Sequence, residues 1–91
     1  MARFLVERYL PGLTSEKLAM AAGRAKESTL RLREQGTPVE YLRSTFVPGE
    51  DKCYCLFEGP SAEAVRLANE RAALPFERIV EAHDITADDL G

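Results

Sequence analysis

Turn-forming residues cut this chain into six segments, and that punctuation constrains the fold more than any other feature. Pro11-Gly12, Gly36, Pro48-Gly49, Gly59-Pro60 and Leu74-Pro75 stand between stretches whose apolar spacing changes from one to the next. Arg3 to Leu10 carries the β-formers Phe4, Leu5, Val6 and Tyr9 and reads as a first strand. Thr14 or Ser15 then caps a helix, Glu16 suits its positive end, and Leu13 can staple onto Leu18. Leu18, Ala21, Ala22, Ala25, Thr29 and Leu32 recur every three or four residues, one buried stripe whose small side chains predict close approach to a sheet. Gly36 closes this helix near Gln35.

Val39 to Val47 and Lys52 to Glu58 are two further strands, and the short Pro48-Gly49-Glu50-Asp51 connection makes them a hairpin. Ser61 caps a second helix with Ala64, Val65, Ala68 and Ala72 on its apolar stripe, and Leu74-Pro75 ends it. A last strand is expected from about Arg78 to Ile85, followed by an acidic tail over 86–91 expected to be mobile. Strand, helix, strand, strand, helix, strand is the split βαβ pattern of the ferredoxin-like α+β sandwich, here one domain spanning residues 1–91. Right-handed crossovers place both helices on one face of a four-stranded antiparallel sheet and leave the other face open. A chain of 91 residues buries only about 60 to 65% of its unfolded surface. Pairing with a second copy over the open face is therefore expected, giving a homodimer.

Side-chain alternation assigns the two faces. Phe4, Val6, Cys53, Cys55, Phe57, Val80 and Ala82 are expected against the helices. Leu5, Glu7, Tyr9, Tyr54, Leu56, Glu58, Ile79, Glu81, His83 and Ile85 are expected on the open face. Arg8 belongs by parity to the helix side, and at a strand end it is expected to reach past the helices or pair with a carboxylate such as Asp84. The open face gathers carboxylates, two tyrosines and the chain's single histidine, which makes it a candidate pocket if a second subunit excludes water. Glu7, Glu81 and His83 are its candidate metal ligands, since imidazole and carboxylate suit nickel or zinc. Tyr9, Tyr54 and Glu58 are its candidate contacts for a small ligand. The alternative for His83 is simple exposure at the end of a strand.

Twelve Lys and Arg against fifteen Asp and Glu give a net charge of −3. Arg24, Lys26, Arg31 and Arg33 are interleaved with Glu27 and Glu34, the pattern of a solvated helix face, so nucleic acid is not an expected partner. No run reaches the roughly 18 to 20 apolar residues of a membrane span, and Arg3, Glu7 and Arg8 interrupt the first ten residues, so a cytoplasmic protein with no membrane partner is expected. Cys53 and Cys55 lie one residue apart, about 6 to 7 Å along one strand face. They read as buried core thiols, lacking the spacing of a zinc site.

The string Phe4-Leu5-Val6-Glu7-Arg8, the Pro-Gly turn, the Val39 to Ser44 strand, Cys53-Tyr54-Cys55, the Pro60-Ser61-Ala62-Glu63-Ala64-Val65 helix start and the Ile79-Val80-Glu81-Ala82 ending together carry a resemblance. Over about Arg3 to Ile85 the chain resembles the family of small bacterial domains of unknown function whose members are often labelled nickel-binding protein. The resemblance implies a ferredoxin-like fold, a common dimeric state and metal binding in some members. Those members are richer in histidine, and Glu7 stands where one can carry histidine, so a nickel site here would lean on Glu7 and Glu81 beside His83. A non-enzymatic homodimer binding a metal or small ligand is the leading expectation. The alternative is a dimeric α+β barrel enzyme, a cofactor-free oxygenase or isomerase, with Glu7, His83 or Tyr54 converging in an apolar cavity.

Overall fold

The computed structural model describes residues 1–91. Its elements run β1 (Ala2–Tyr9), α1 (Ser15–Glu34), β2 (Glu40–Val47), β3 (Lys52–Gly59), α2 (Ala62–Arg71) and β4 (Arg78–Ala82), with short 3-10 turns at Pro48–Glu50 and Asp88–Leu90. The sheet order is β2-β3-β1-β4, every neighbouring pair is antiparallel, and the fold is the ferredoxin-like α+β sandwich. No helix is long and apolar enough to cross a membrane.

Local chemistry fixes the boundaries. The Thr14 hydroxyl accepts from the Lys17 amide at the start of α1, and the Ser61 hydroxyl accepts from the Ala64 amide at the start of α2. Gly36, at φ +96°, ends α1 in a Schellman turn, with Thr37 N–H donating to the Leu32 carbonyl and Gly36 N–H to that of Arg33. The same two bonds end α2, from Leu74 to Asn69 and from Ala73 to Glu70, but the left-handed residue there is Ala73 at φ +55°. Arg24 of α1 donates to the Ala72 and Ala73 carbonyls, so one helix supplies a cation to the other's negative end.

Phe4, Val6, Cys53, Cys55 and Phe57 line the helix side of the sheet and meet Ala25 and Leu32 of α1 and Val65 and Ala68 of α2. The small residues of both stripes let the helices lie close, and the Ser28 hydroxyl donates to the Ala68 carbonyl between them at 2.7 Å.

In β4 the expectations fail in two respects. The strand stops at Ala82, short of Ile85, and residues 86–91 hold a turn in which the Thr86 amide donates to Asp89 Oδ2 at 2.9 Å. Its faces are also the reverse of those expected. Val6 pairs with Ile79 and Phe4 with Glu81, so these two lie on the helix side, where Ile79 packs against the core. Val80 and Ala82 pair with Leu5 and Arg3 and belong to the open face. A short edge strand alternates equally well in either phase, and the bulk of Ile79 against the helices decides between them.

Candidate functional site

The open face is a set of rows running across the strands. In the middle, Arg43, Leu56, Leu5 and Val80 form an apolar band headed by one arginine. Leu56 is buried even in the single chain, whereas Val80 is 37% exposed. On one side of the band, Glu7 sits between Tyr54 and Arg78, and its carboxylate accepts from Arg78 and from Lys52 at 3.4 Å. Lys52 also reaches Glu77 at 3.0 Å and lies 5.7 Å from the centre of the Tyr9 ring. On the other side, Arg3 pairs with Asp84 and, at 3.7 Å, with Glu58, while Arg43 approaches Asp84 at 3.7 Å.

These pairs settle protonation. The hydrogen bond from Arg78, reinforced by Lys52, holds the Glu7 carboxyl below its ordinary range. The bond to Glu77 likewise raises the Lys52 ammonium. Glu7 is thus a committed anion, poorly suited to take up a proton.

The expected site residues are only partly gathered. Tyr9, Tyr54 and Glu58 do lie on the open face, the tyrosines beside Glu7 and Glu58 at the opposite end by Arg3. Glu81 lies on the other side of the sheet from Glu7, and His83 follows the end of β4, so the trio Glu7, Glu81 and His83 does not share a face in one chain. Nor do Glu7, Tyr54 and His83 converge on one cavity: the small, partly open space beneath α1 is lined instead by Arg8, Ser44, Cys53 and Cys55 with apolar residues.

What remains of the metal set is a pair. His83 Nε2 stands 3.2 Å from Glu81 Oε2, both side chains exposed. Ligands about 2.1 Å from one ion in neighbouring octahedral positions lie about 3.0 Å apart, so this pair fits two adjacent positions of a divalent ion. Asp84 and Asp89 lie close by, lining with His83 a surface hollow at this end of the sheet, but Asp84 is engaged by Arg3. One chain thus brings two of the three expected donors together, and no group of three or more metal-ligating side chains gathers anywhere in it.

The most unusual chemistry lies on the helix side, where sequence reasoning missed it. Arg8 is 2% exposed, and its guanidinium donates to the Pro75 carbonyl at 3.1 Å, to Asn69 Oδ1 and to Cys55 Sγ at 3.4 Å. It neither reaches solvent nor meets Asp84, because the end of α2 and Pro75 fold over it. Cys55 Sγ lies 3.0 Å from Ser44 Oγ, which lies 2.7 Å from the Tyr41 hydroxyl, and Cys53 Sγ is 3.8 Å from Cys55 Sγ. Burial pushes the Cys53 thiol up to about 12, helped by its sulfur neighbour. The one available signal was parity, which placed Arg8 among the core-facing residues.

Comparison with known proteins supplies the remaining context. Residues 4–82 match the family described as nickel responsive protein SCO4226-like. Among solved structures the chain is similar to the crystal structure of SCO4226 from Streptomyces coelicolor A3(2), with a TM-score of 0.74 and 30% identity over 93% of this chain and 100% of that one. None of the curated proteins matches the sequence.

Proposed function

The chain belongs to the SCO4226-like nickel-responsive family, and from that premise we propose that it is a non-enzymatic, metal-responsive protein acting as a cytoplasmic homodimer. Its divalent ion is held at the end of β4 by His83 and Glu81. The 3.2 Å separation of His83 Nε2 from Glu81 Oε2 is the observation that carries the assignment, because it presents imidazole and carboxylate at the spacing of adjacent ligand positions. Glu7 is left out of the set: two cations already neutralise it on the opposite face.

The homodimer rests on the apolar band of Leu5, Leu56 and Val80 between ionic rows, a pattern of apolar centre and polar rim suited to burial against a second copy. The free thiols of Cys53 and Cys55 fit a reducing compartment.

Thermal melting with and without nickel(II) tests the metal. Nickel is expected to raise the Tm of the native chain by preferential binding to the folded state. The rise should vanish in H83A and in E81Q and persist in E7Q. An equal rise in the H83A E81Q double variant, or none in the native protein, would overturn the assignment. Light scattering should give twice 10.1 kDa, and Val80→Arg should shift it toward the single-chain mass.

A further inference from the structure

We propose that Cys53, Cys55 and Arg8 form a second, separate metal site, one that takes a monovalent thiophilic cation of the copper(I) class. The two thiols are free, buried and on the same side of β3, with sulfurs 3.8 Å apart. Two metal–sulfur bonds of about 2.3 Å span about 4.6 Å when collinear, the two-coordinate arrangement of copper(I), so binding parts the 3.8 Å sulfur pair by up to about 0.8 Å. Soft thiolates select copper(I) over harder ions, and two of them satisfy it.

Charge identifies the valence. Arg8 is a buried cation that meets no carboxylate: it donates to the Pro75 carbonyl, the Asn69 carboxamide and the Cys55 sulfur, and a buried charge without a counter-ion is costly. With both cysteines protonated the cluster carries one positive charge. When a monovalent ion binds, each S–H bond gives way to a sulfur–metal bond, two protons leave to solvent and no electron is transferred. Two thiolates and one monovalent cation then make a single negative charge, which Arg8 cancels. A divalent ion would leave the cluster positive and would demand further ligands, where only the Ser44 and Tyr41 hydroxyls, already bonded to each other, are at hand.

The surroundings fit the same occupant. Arg8 Nε donates to Cys55 Sγ and Ser44 Oγ stands against it, the outer-shell contacts that hold a thiolate. Beside the sulfurs lies a small, partly open cavity of about 10 Å³, the room of a single water-sized species and too little for an organic ligand. Its cover is the first half of α1, where Leu18, Ala21 and Ala22 are only half-buried, so entry needs local displacement of small side chains.

Anaerobic titration of the reduced protein with copper(I) against a competing chelator tests the site. The expected result is one copper per chain, two protons released per copper in weak buffer, a thiolate-to-copper absorption band, and two sulfur neighbours by X-ray absorption. H83A and E81Q should leave all four unchanged, which separates this site from the nickel site. Arg8→Met should weaken binding roughly 10- to 100-fold, and C53A C55A should abolish it. Copper retained by C53A C55A, fewer than two protons released, or nitrogen and oxygen neighbours in the wild-type spectrum would each overturn the proposal. The proton count and spectrum need only the native chain, so they decide the matter even if a variant fails to fold.

Discussion

Replacing Asn69 by alanine puts the buried guanidinium to a direct test. Asn69 is 1% exposed; its Oδ1 accepts from Arg8 Nη2 and its Nδ2 donates to the Val65 carbonyl at 2.8 Å. The lost bond is charge-assisted and worth about 1.5 to 3 kcal/mol. The void left by the carboxamide adds roughly 1 kcal/mol. The loss of the Val65 bond adds little, because that carbonyl is already within the helix ladder. The expected total is about 3 kcal/mol, a large part of the roughly 5 to 14 kcal/mol available to a chain of this length. At about 4 to 8 °C per kcal/mol, the Tm should fall by about 12 to 24 °C. Urea unfolding followed by far-ultraviolet circular dichroism measures the free energy directly. Combining Asn69→Ala with Arg8→Met removes the charge together with its acceptor. The double variant should therefore lose less than the two singles added, by about 0.5 to 3 kcal/mol. A loss below about 1 kcal/mol in Asn69→Ala, with additive behaviour in the double variant, would mean that water replaces the carboxamide and that Arg8 is not held dry.

Two substitutions, one in the turn that ends α2 and one in the α1 arginine that caps it, should move stability in opposite directions. Ala73→Gly relieves a left-handed alanine and should stabilise by roughly 0.5 to 1 kcal/mol, whereas Arg24→Ala removes donors to the Ala72 and Ala73 carbonyls and should cost roughly 1 kcal/mol, both read from urea midpoints. Glu7 titrates lower folded than unfolded, so its contribution is complete above the ordinary value of 4.5 and is lost as pH falls through the depressed folded value; Glu7→Gln should flatten the acid decline of the midpoint. Cys53 has the opposite sign: its stabilising contribution is present below 9.0 and is lost as pH rises toward about 12. In mildly alkaline buffer both thiols should react with an aromatic disulfide reagent far more slowly in the native protein than in urea, and equal rates would show that the cluster opens freely.

Most of the fold was legible because its signals are local. Thr14, Gly36 and Ser61 each act within a few residues of themselves, and the alternation in β1 and β3 is unambiguous where Phe4, Val6 and Phe57 are large and apolar. The phase of β4 was not legible, since Ile79 and Val80 compete for the core in a strand of five residues and only pairing with β1 separates them. That reversal is what divides Glu7 from Glu81 and dissolves the expected ligand trio. The Arg8 cluster was hidden for a different reason: its partners Asn69 and Pro75 lie far along the chain, and no short window contains the contact. Tyr9, Tyr54 and Glu58 were placed correctly on the open face because each belongs to a strand whose phase the sequence states clearly.

The central position of β1 also bears on how the chain assembles. β1 joins Ala2 to Gly59 on one side and Arg3 to Ala82 on the other, so the middle of the sheet is completed by segments from the far end of the sequence. Only the hairpin of β2 and β3 closes over a short loop. Loop-closure entropy favours that hairpin as an early event, with β1 docking onto β3 at greater entropic cost and β4 sealing the last edge. A newly made chain therefore carries β1 unpaired until β3 is complete at Gly59, and the charges of Arg3, Glu7 and Arg8 within that strand act as gatekeepers against premature self-association.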